Sequence, residues 1–514
     1  MMASDSDKKI TLVSGRGDPE SSAGAIADDS ESRVTAGEAE DVLALQDLDP
    51  ALNKKMHLVN DDHTHTLSYA VDSLVLLLQG NIAAPAYTEF GERGYSAGLS
   101  VAVYAGMLAG ALFWGLGADM IGRRWAFNTS LFVCSTATVV AGAVPNWASL
   151  GFFVAVIGFG AGGNLILDTT VFLEYLPGDR QWVLTFLACW WGVGQAVTGF
   201  ICWGFLVKPK WNCSSVDDCS WDNNRGWRYV MFTAGALVFV LSVLRVMVVR
   251  LRETPKYLLG AGEEERLVSG LRALALRYGR PCSLTVQKLE ACGPVRASRG
   301  GSGRFSLPAE TWAHLSGLFA TRKMVISTSM IWFSWTLIGL AYPLFYVFLS
   351  SYLESRGAYA GVSTFDTWRN YTLTNVSGIF GPALAAWMCD TRALGRRYTM
   401  SIGALATMAF FFAYTAVRSP AQNVGFSCAI AFCLNVYYGT LYAYTPEVLP
   451  SAHRATGNGV GVACNRLMGI LSSVVSTTAD TSTSSPIYVC AALFGVMALV
   501  SALFPFEPYG RRSS

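Results

Sequence analysis

Long apolar runs without a charged residue recur along this chain and constrain its fold more than any other feature. The segment from Ser96 to Ala118 contains no Asp, Glu, Lys or Arg, and neither does the segment from Trp125 to Pro145. A helix needs about 20 such residues to cross a bilayer core. The charged stretch between them, in ALFWGLGADMIGRRW, is therefore predicted to be a tight turn at a membrane face.

Twelve such spans are predicted, and the polar stretch 251–323 divides them six and six. They cover residues 67–85, 96–118, 125–145, 148–173, 182–206, 227–249, 324–350, 369–389, 397–417, 423–446, 455–477 and 486–505. The predicted fold is an all-α membrane protein, with twelve transmembrane helices in two pseudo-symmetric six-helix bundles, 67–250 and 324–505.

The remaining segments are polar. Residues 1–66 are acidic and rich in Ser, Ala and Gly, which predicts a disordered cytosolic tail. Residues 251–323 are predicted to be a cytosolic central loop with one amphipathic surface helix in EEERLVSGLRALALRYGR, and 506–514 a second cytosolic tail. The net charge of +2 argues neither for nor against a nucleic-acid partner, but no basic stripe with interleaved aromatic residues is present, so none is expected.

Lys and Arg are more frequent in the loops on one side of the predicted spans. That side carries the central loop and the Gly-Arg-Arg turns at Arg123 and Arg396. Because basic loops stay in the cytosol, both termini are predicted to be cytosolic. The expected location is the plasma membrane.

The loop WNCSSVDDCSWDNN falls on the opposite side and contains Cys213 and Cys219. An oxidising compartment favours a disulfide between them. Asn212 and Asn370 each begin an Asn-X-Ser/Thr sequon and are candidate glycosylation sites.

Two pairs of charged turns repeat between the halves. GADMIGRR is echoed by CDTRALGRR at 389–397, and FLEYLPGDR by TPEVLPSAHR. Asp119 and Asp390 are 271 residues apart, and Glu174 and Glu447 are 273 residues apart. A repeat on this scale indicates duplicated halves with a binding site near the midplane between them.

These turns resemble the loop signature of the major facilitator superfamily, with a weaker second copy that has two extra residues. YAVDSLVLLL, GFGAGGN, FLEYLP, ETPKYLL and TPEVLP…RATG are similar to sugar-porter-like members and to fungal transporters related to synaptic vesicle proteins, over about residues 67–505. The resemblance implies a conformational latch at these turns. Alternatively, the arginines serve only as anchors that fix the membrane topology. The latch candidates are Gly115, Asp119, Gly122, Arg123, Arg124, Glu174, Arg180, Asp390, Arg396, Arg397, Glu447 and Arg454.

A charge within a predicted span costs a few kcal/mol and indicates function, and three such residues stand out. Asp72 is the first candidate for proton coupling, because desolvation raises the pKa of a buried carboxylate; alternatively it forms a permanent structural pair. Asp168 is a second coupling candidate, or a partner of Arg180 or Arg123. Arg466 either receives a carboxylate of the substrate in bidentate fashion or neutralises an Asp.

Uncharged side chains at similar depth complete the candidate site. An amide deep in a span needs a polar partner or a solute, which points to Gln79, Asn164, Gln195 and Asn435. Aromatic residues of spans five, seven and ten are either cavity walls or an interfacial belt; they are Trp190, Trp191, Trp332, Trp335, Tyr342, Tyr346, Tyr437, Tyr438 and Tyr442. The glycines of GFGAGGN are expected to permit close helix packing.

These features predict a secondary active transporter that moves a small organic solute, sugar-like or carboxylate, by alternating access with protons. An exporter of a secondary metabolite and a non-transporting sensor on the same fold remain alternatives. The sequence has no Ser/His/Asp arrangement and no metal-spaced His or Cys cluster, so no enzyme activity, cofactor or metal is expected. The expected partners are the substrate, protons and the lipid bilayer, and the protein is expected to be a monomer.

Overall fold

The computed structural model describes residues 72–90, 98–175, 182–213, 219–249, 253, 255–260, 262–278, 282, 284–292, 312, 314–355, 363–450, 453–478 and 485–508. These residues form helices and connecting turns, with no strand among them. The predicted tail 1–66 lies outside the described residues, as do residues 509–514 of the second predicted tail.

Helices occupy every predicted span. The first half contains α1 (Asp72–Phe90), α2 (Gly98–Ile121), α3 (Arg123–Ala141), α4 (Trp147–Tyr175), α5 (Trp182–Leu187), α6 (Cys189–Leu206) and α7 (Gly226–Leu244), which a π-helical turn, Arg245–Val249, extends. The central segment contains α8 (Pro255–Gly260), α9 (Glu264–Tyr278) and α10 (Val286–Glu290). The second half contains α11 (Arg322–Ser355), α12 (Thr364–Gly378), α13 (Phe380–Cys389), α14 (Gly395–Tyr414), α15 (Pro420–Val448), α16 (Arg454–Thr478) and α17 (Ser485–Ala502). Among the described residues, seven helical spans are long and apolar enough to cross a membrane by themselves.

Some boundaries differ from the predicted ones. The first span is predicted to end at residue 85, whereas α1 continues through Pro85 to Phe90. Spans five and eight each consist of two helices, interrupted at Ala188 and at Ile379. The second interruption packs closely against α6, since a Cβ on Gly192 would lie 2.8 Å from the Cα of Ile379.

Glycines let α2 and α4 approach until their backbones touch. A Cβ on Gly106 would lie 2.0 Å from the carbonyl oxygen of Ala155, and one on Gly162 would lie 2.5 Å from that of Met107. Small residues permit such contacts between membrane helices. The glycines of GFGAGGN therefore serve helix packing, as predicted.

The two halves meet along α2 with α16 and along α6 with α12. We name the end of the bundle that carries Arg123 and Arg396 the arginine end, and the opposite end, which carries Cys213, the disulfide end.

At the arginine end the halves are in direct contact. A Cβ on Gly115 of α2 would lie 3.0 Å from the Cα of Gly459 in α16. One residue earlier in α16, Asn458 Nδ2 donates to Thr169 Oγ1 of α4 at 3.1 Å. Both contacts join the first half to the second, so this end cannot open without breaking them.

A buried ion pair fastens the disulfide end of the first half. Arg228 of α7 pairs with Glu89 of α1 and donates to the carbonyl oxygen of Val144 at 3.0 Å. Trp227 Nε1 also donates to Glu89, at 2.7 Å. Removing one charge of such a pair leaves the other uncompensated and costs about 3–5 kcal/mol.

A Gly106→Ala substitution tests the close packing of α2 on α4. The added methyl group meets backbone rather than a movable side chain, so we expect a loss of roughly 1–3 kcal/mol in stability. Gly151→Ala on α4 is the matched control, because no atom lies within 4 Å of its Cβ position. Thermal unfolding should show a decrease for the first variant and no decrease for the second. Equal effects would contradict the packing described here.

Candidate functional site

A cavity lies between the two halves. Residues of α1, α2, α4 and α6 line one side, and residues of α11, α15 and α16 line the other. They are Leu77, Gln79, Val103, Tyr104, Met107, Leu165, Trp191, Gln195, Ile338, Gly339, Tyr342, Pro343, Tyr438, Tyr442, Asn465 and Arg466. The empty space within it, open solvent included, is about 790 Å³. A bound molecule would therefore contact both halves.

Aromatic side chains form one wall of the cavity. The ring centroids of Trp191 and Tyr442 are 4.1 Å apart, and those of Trp191 and Tyr438 are 5.2 Å apart. Trp335 packs on Tyr442 at 4.6 Å, and the ring of Tyr342 is stacked parallel to that of Tyr438. Trp191 belongs to the first half and the others to the second, so this wall crosses the boundary between the halves.

Arg466 is the only charged residue among the described residues that line the cavity. Its side chain is only 8% exposed, and its Nε has no hydrogen-bond partner. Among the described residues, no ion pair reaches its guanidinium either. An electrostatic neighbour on α2 is the uncharged phenol of Tyr104. A buried, unpaired guanidinium favours a bound anion, because it carries the cost of desolvation without a compensating partner.

Uncharged polar groups of the first half face the same space. Gln195 has no hydrogen-bond partner within the described part of the chain. Gln79 accepts a long bond from Ser100 Oγ, at 3.4 Å. Gln79, Gln195 and Arg466 are thus the predicted site residues that the structure brings together around the cavity.

Asn164 and Asp168 do not line the cavity; Leu165 of the same helix does. Asn164 Nδ2 donates to Asp168 Oδ2 at 3.3 Å, and Arg245 Nη1 donates to Asn164 Oδ1 at 3.0 Å. Arg245 Nη2 and Asp168 Oδ1 are 3.9 Å apart, and all three side chains are buried. The amide therefore bridges a carboxylate and a guanidinium that do not bond each other directly.

Other candidates lie elsewhere. Asn435 Nδ2 donates to the carbonyl oxygen of Ala431 in its own helix, at 2.8 Å, and does not line the cavity. Trp190 is exposed on the outer surface. Asp72 begins α1 and Tyr346 lies in α11, but their side chains are outside the described residues.

A carboxylate from the end of the first half caps the first Gly-Arg-Arg turn. Glu253 Oε1 accepts from the backbone N–H of Arg123 at 2.7 Å and of Arg124 at 3.3 Å. Gly122 has a φ of 103°, a conformation that favours glycine. The first amides of a helix have no partner within it, and a negative charge there also interacts favourably with the helix dipole.

The second half repeats this arrangement. Glu507, which follows α17, accepts from the backbone N–H of Arg396 at 3.0 Å and of Arg397 at 3.1 Å. Gly395 has a φ of 56°. The duplication inferred from sequence therefore includes a capping carboxylate in each half.

The latch candidates of the second half make further contacts. Arg396 forms a bidentate pair with Glu447, with both N···O distances 3.1 Å, and both side chains are buried. Arg454 is fully buried and donates to the carbonyl oxygen of Leu449 at 3.3 Å. Asp390, in contrast, is exposed and makes no side-chain bond to the described residues.

In the first half, Arg123 is buried, whereas the guanidinium of Arg124 is exposed and lies over the ring of Trp125. The side chains of Asp119 and Glu174 lie outside the described residues, as does the whole of Arg180.

Cys213 and Cys219 form a disulfide, with their Cα atoms 5.4 Å apart. The Nδ2 atom of Asn212, which a glycan would modify, donates to the carbonyl oxygens of Phe205 at 3.0 Å and Lys208 at 2.8 Å. Asn370 lies in α12, where its Oδ1 accepts from Arg369.

Four residues that the sequence reasoning did not single out take part in these sites: Tyr104, Arg245, Glu253 and Glu507. A signal existed for the two glutamates, because each follows the last span of a half and is followed by proline within two residues. For Tyr104 no sequence signal existed, whereas Arg245 could have been found as a charge inside the predicted span 227–249.

Comparison with known proteins agrees with this architecture. A model of the Major Facilitator Superfamily matches residues 66–473. The chain is 38% identical, over 86% of each sequence, to MFS siderochrome iron transporter 1 of Ceriporiopsis subvermispora. It is 29% identical to the niacin transporter NiaP of Acinetobacter baylyi, over 73% of this chain and 76% of the relative. Its fold matches the proton:xylose symporter XylE with a TM-score of 0.65 at 14% identity, over 90% of this chain and 98% of that one.

Two six-helix halves around a shared cavity define the class as a multi-pass membrane protein of the transporter type. The chain belongs to the Major Facilitator Superfamily. The family resemblance and the all-α fold predicted from sequence are therefore confirmed.

A Glu507→Gln substitution tests the capping carboxylates. The variant keeps the size of the side chain but loses the charge, so we expect a loss of roughly 1–2 kcal/mol in thermal unfolding. Glu253→Gln should behave alike. Glu263→Gln is the control, because Glu263 forms a surface pair with Arg266, and such pairs contribute about 0–1 kcal/mol. If all three variants lost the same stability, the two capping carboxylates would contribute no more than a surface ion pair does.

A histidine pair joins the central segment to the start of α16. His314 Nδ1 and His453 Nδ1 are 2.9 Å apart, so one ring must donate the proton that the other accepts. Burial, and then the charge of His314, lower the pKa of His453 to about 4. Both residues lie outside the predicted spans.

Acidification should weaken this contact. The pKa of His453 is lower in the folded protein than the ~6.5 of an exposed histidine, so the unfolded chain binds the proton more readily. The stability that the neutral pair contributes is present above about pH 6.5 and is lost as the pH falls toward about 4. Between about pH 7 and 5, thermal stability should decrease more for the wild type than for His453→Gln. Identical pH profiles would contradict this assignment.

Proposed function

We propose that this protein is a secondary active transporter for a small planar organic anion, such as an aromatic carboxylate, which it moves by alternating access together with protons. The observation that carries the proposal is Arg466, a buried cation without a counter-charge among the described residues, in the wall of a cavity that both halves line.

The charge of Arg466 favours a carboxylate over a sugar. Burial of an ion costs several kcal/mol, which a paired counter-charge offsets. A carboxylate can accept two parallel bonds from a guanidinium, whereas a neutral hydroxyl leaves its charge uncompensated. Within the predicted alternatives of sugar-like and carboxylate solutes, the site therefore supports the carboxylate.

The aromatic wall favours a flat substrate. Offset or edge-to-face contacts between rings contribute about 0.5–1.5 kcal/mol beyond the area they bury. Trp191 and Tyr438 present such surfaces from opposite halves. The relative NiaP is a niacin transporter, and niacin is a pyridinecarboxylic acid, which combines a flat ring with a carboxylate.

The remaining proposals concern orientation and coupling. The arginine end lies in the cytosol and the disulfide end outside, in agreement with the bias of Lys and Arg and with the disulfide Cys213–Cys219. The protein is a monomer of the plasma membrane. The buried contacts of Arg396 and Glu447 belong to a latch at the arginine end. Asp72 and Asp168 are the candidate proton carriers.

Matched ligands and variants in proteoliposomes test the substrate. Benzoate and nicotinate should exchange across the membrane, whereas benzamide, which lacks the charge, and cyclohexanecarboxylate, which lacks the flat ring, should exchange poorly. Arg466→Gln should weaken binding about 10- to 100-fold, as expected for loss of a charge-assisted pair of ~1.5–3 kcal/mol. Arg466→Lys should bind with intermediate strength.

Arg266→Gln is the control, since Arg266 is an exposed cation of the central segment. Exchange of glucose or xylose that is unaffected by Arg466→Gln would overturn the substrate proposal. Binding of a carboxylate without any flux would instead favour a sensor on this fold. Accumulation that requires the opposite pH gradient would favour an exporter.

A further inference from the structure

We propose that Tyr104 is a specificity-determining residue of the cavity, and that its phenol donates a hydrogen bond to the carboxylate that Arg466 pairs with. The inference deepens the proposed function and rests on it. The carboxylate of the solute then meets a cation from the second half and a neutral donor from the first half.

Tyr104 lies on α2, where that helix runs antiparallel to α16. At the arginine end, Gly115 of α2 faces Gly459 of α16. About three helical turns toward the disulfide end, Tyr104 faces Gly469. A Cβ on Gly469 would lie 2.7 Å from Cδ1 and Cε1 of the tyrosine ring. The glycine therefore lets the ring of Tyr104 lie directly against the backbone of α16.

The ring of Tyr104 is next to Arg466. Arg466 precedes Gly469 by three residues, and positions with this spacing share one face of a helix, with Cβ positions about 5–6 Å apart. The phenol of Tyr104 interacts electrostatically with Arg466 and with Tyr438 of α15. All three residues line the cavity. The phenol is therefore close both to the cation and to the aromatic wall.

The hydroxyl of Tyr104 can bond a solute. Tyr104 is partly buried and makes no hydrogen bond to the described residues. Tyrosine hydroxyls that are removed from water usually find a hydrogen-bond partner. The guanidinium of Arg466 carries only donors, so it cannot accept the phenol proton, whereas an anion paired with it can.

A carboxylate has enough acceptor sites for both groups. Its two oxygens offer about four lone-pair sites, and a bidentate guanidinium occupies two of them. Tyr104 can then bond a remaining site without adding a second positive charge. Arg466 is the one charged residue among the described residues that line the cavity, so a second carboxylate on the solute would be buried without a counter-charge. The preferred solute is therefore a monocarboxylate.

Binding of benzoate to the purified full chain in lipid nanodiscs, measured by calorimetry, tests this assignment. Tyr104→Phe keeps the ring against Gly469 but loses the hydroxyl, so we expect about 10-fold weaker binding, as for loss of a hydrogen bond to a charged group. Tyr488→Phe is the matched control and should bind like the wild type, because Tyr488 is about half exposed on α17 and does not line the cavity. Phthalate, which carries a second carboxylate, should bind much more weakly than benzoate.

Two further measurements separate a bond to the solute from a packing role. In the Arg466→Gln background, Tyr104→Phe should change the affinity by less than about threefold, because residues that hold the same group are energetically coupled. The antisymmetric carboxylate stretch of bound, isotope-labelled benzoate should move to higher frequency in Tyr104→Phe, which lacks one donor. It should stay unchanged in Tyr488→Phe.

A glycine substitution tests the placement of the ring. Gly469→Ala adds a methyl group that must displace Tyr104, so binding of benzoate should weaken. Gly425→Ala on α15 is its control, because no atom lies within 4 Å of its Cβ position.

The outcomes distinguish the inference from the proposed function. If the wild type bound benzoate and Tyr104→Phe bound it equally well, the inference would be overturned and the proposed function would stand. An unchanged carboxylate band in Tyr104→Phe, or phthalate that binds as tightly as benzoate, would also overturn it. If the wild type bound no carboxylate at all, the proposed function would fail and the inference with it.

Discussion

The capping of α3 and α14 by distant carboxylates is the interaction on which the rest of the structure depends. Each Gly-Arg-Arg turn starts a membrane helix whose first amides would otherwise face a poorly hydrated interface without a partner. Glu253 and Glu507 supply the acceptor after the last helix of each half. In each half, the segment that follows the last helix therefore contacts the start of a helix from the middle of the same half. This contact makes the half a unit that can move as one body.

Three of the buried arginines differ in whether a carboxylate neutralises them, and the difference separates structure from function. Arg228 and Arg396 have direct carboxylate partners, Glu89 and Glu447. These pairs tie helix ends together, and breaking one is costly because the remaining charge stays buried. Arg466 is buried to a similar degree but has no counter-charge among the described residues. A buried cation that the described residues do not neutralise is suited to a ligand that does.

Sequence periodicity and charge predicted the helices well but not the orientation of single side chains. Uncharged runs define where a helix lies in the membrane, and the repeated turns define the two halves. An amide in an apolar helix has no amphipathic pattern around it, so Gln195, which lines the cavity, and Asn435, which bonds its own helix, look alike in sequence. The sequence did not predict the interruptions at Ala188 and Ile379, because neither residue breaks a helix by itself. Packing between the halves determines where these helices are interrupted.

The strength of contacts within the halves, compared with those between them, explains how such a structure can alternate. Among the described residues at the arginine end, the halves are joined by van der Waals contacts, such as that of Gly115 on Gly459, and by one neutral hydrogen bond. A neutral bond of this kind contributes about 0.5–1.5 kcal/mol, whereas a buried ion pair inside a half resists removal of a partner by about 3–5 kcal/mol. Separation of the halves at this end is therefore much easier than deformation of either half. On the proposed function, a substrate that bridges Arg466 of one half and Trp191 of the other favours the arrangement in which the halves enclose it, because only that arrangement makes both contacts.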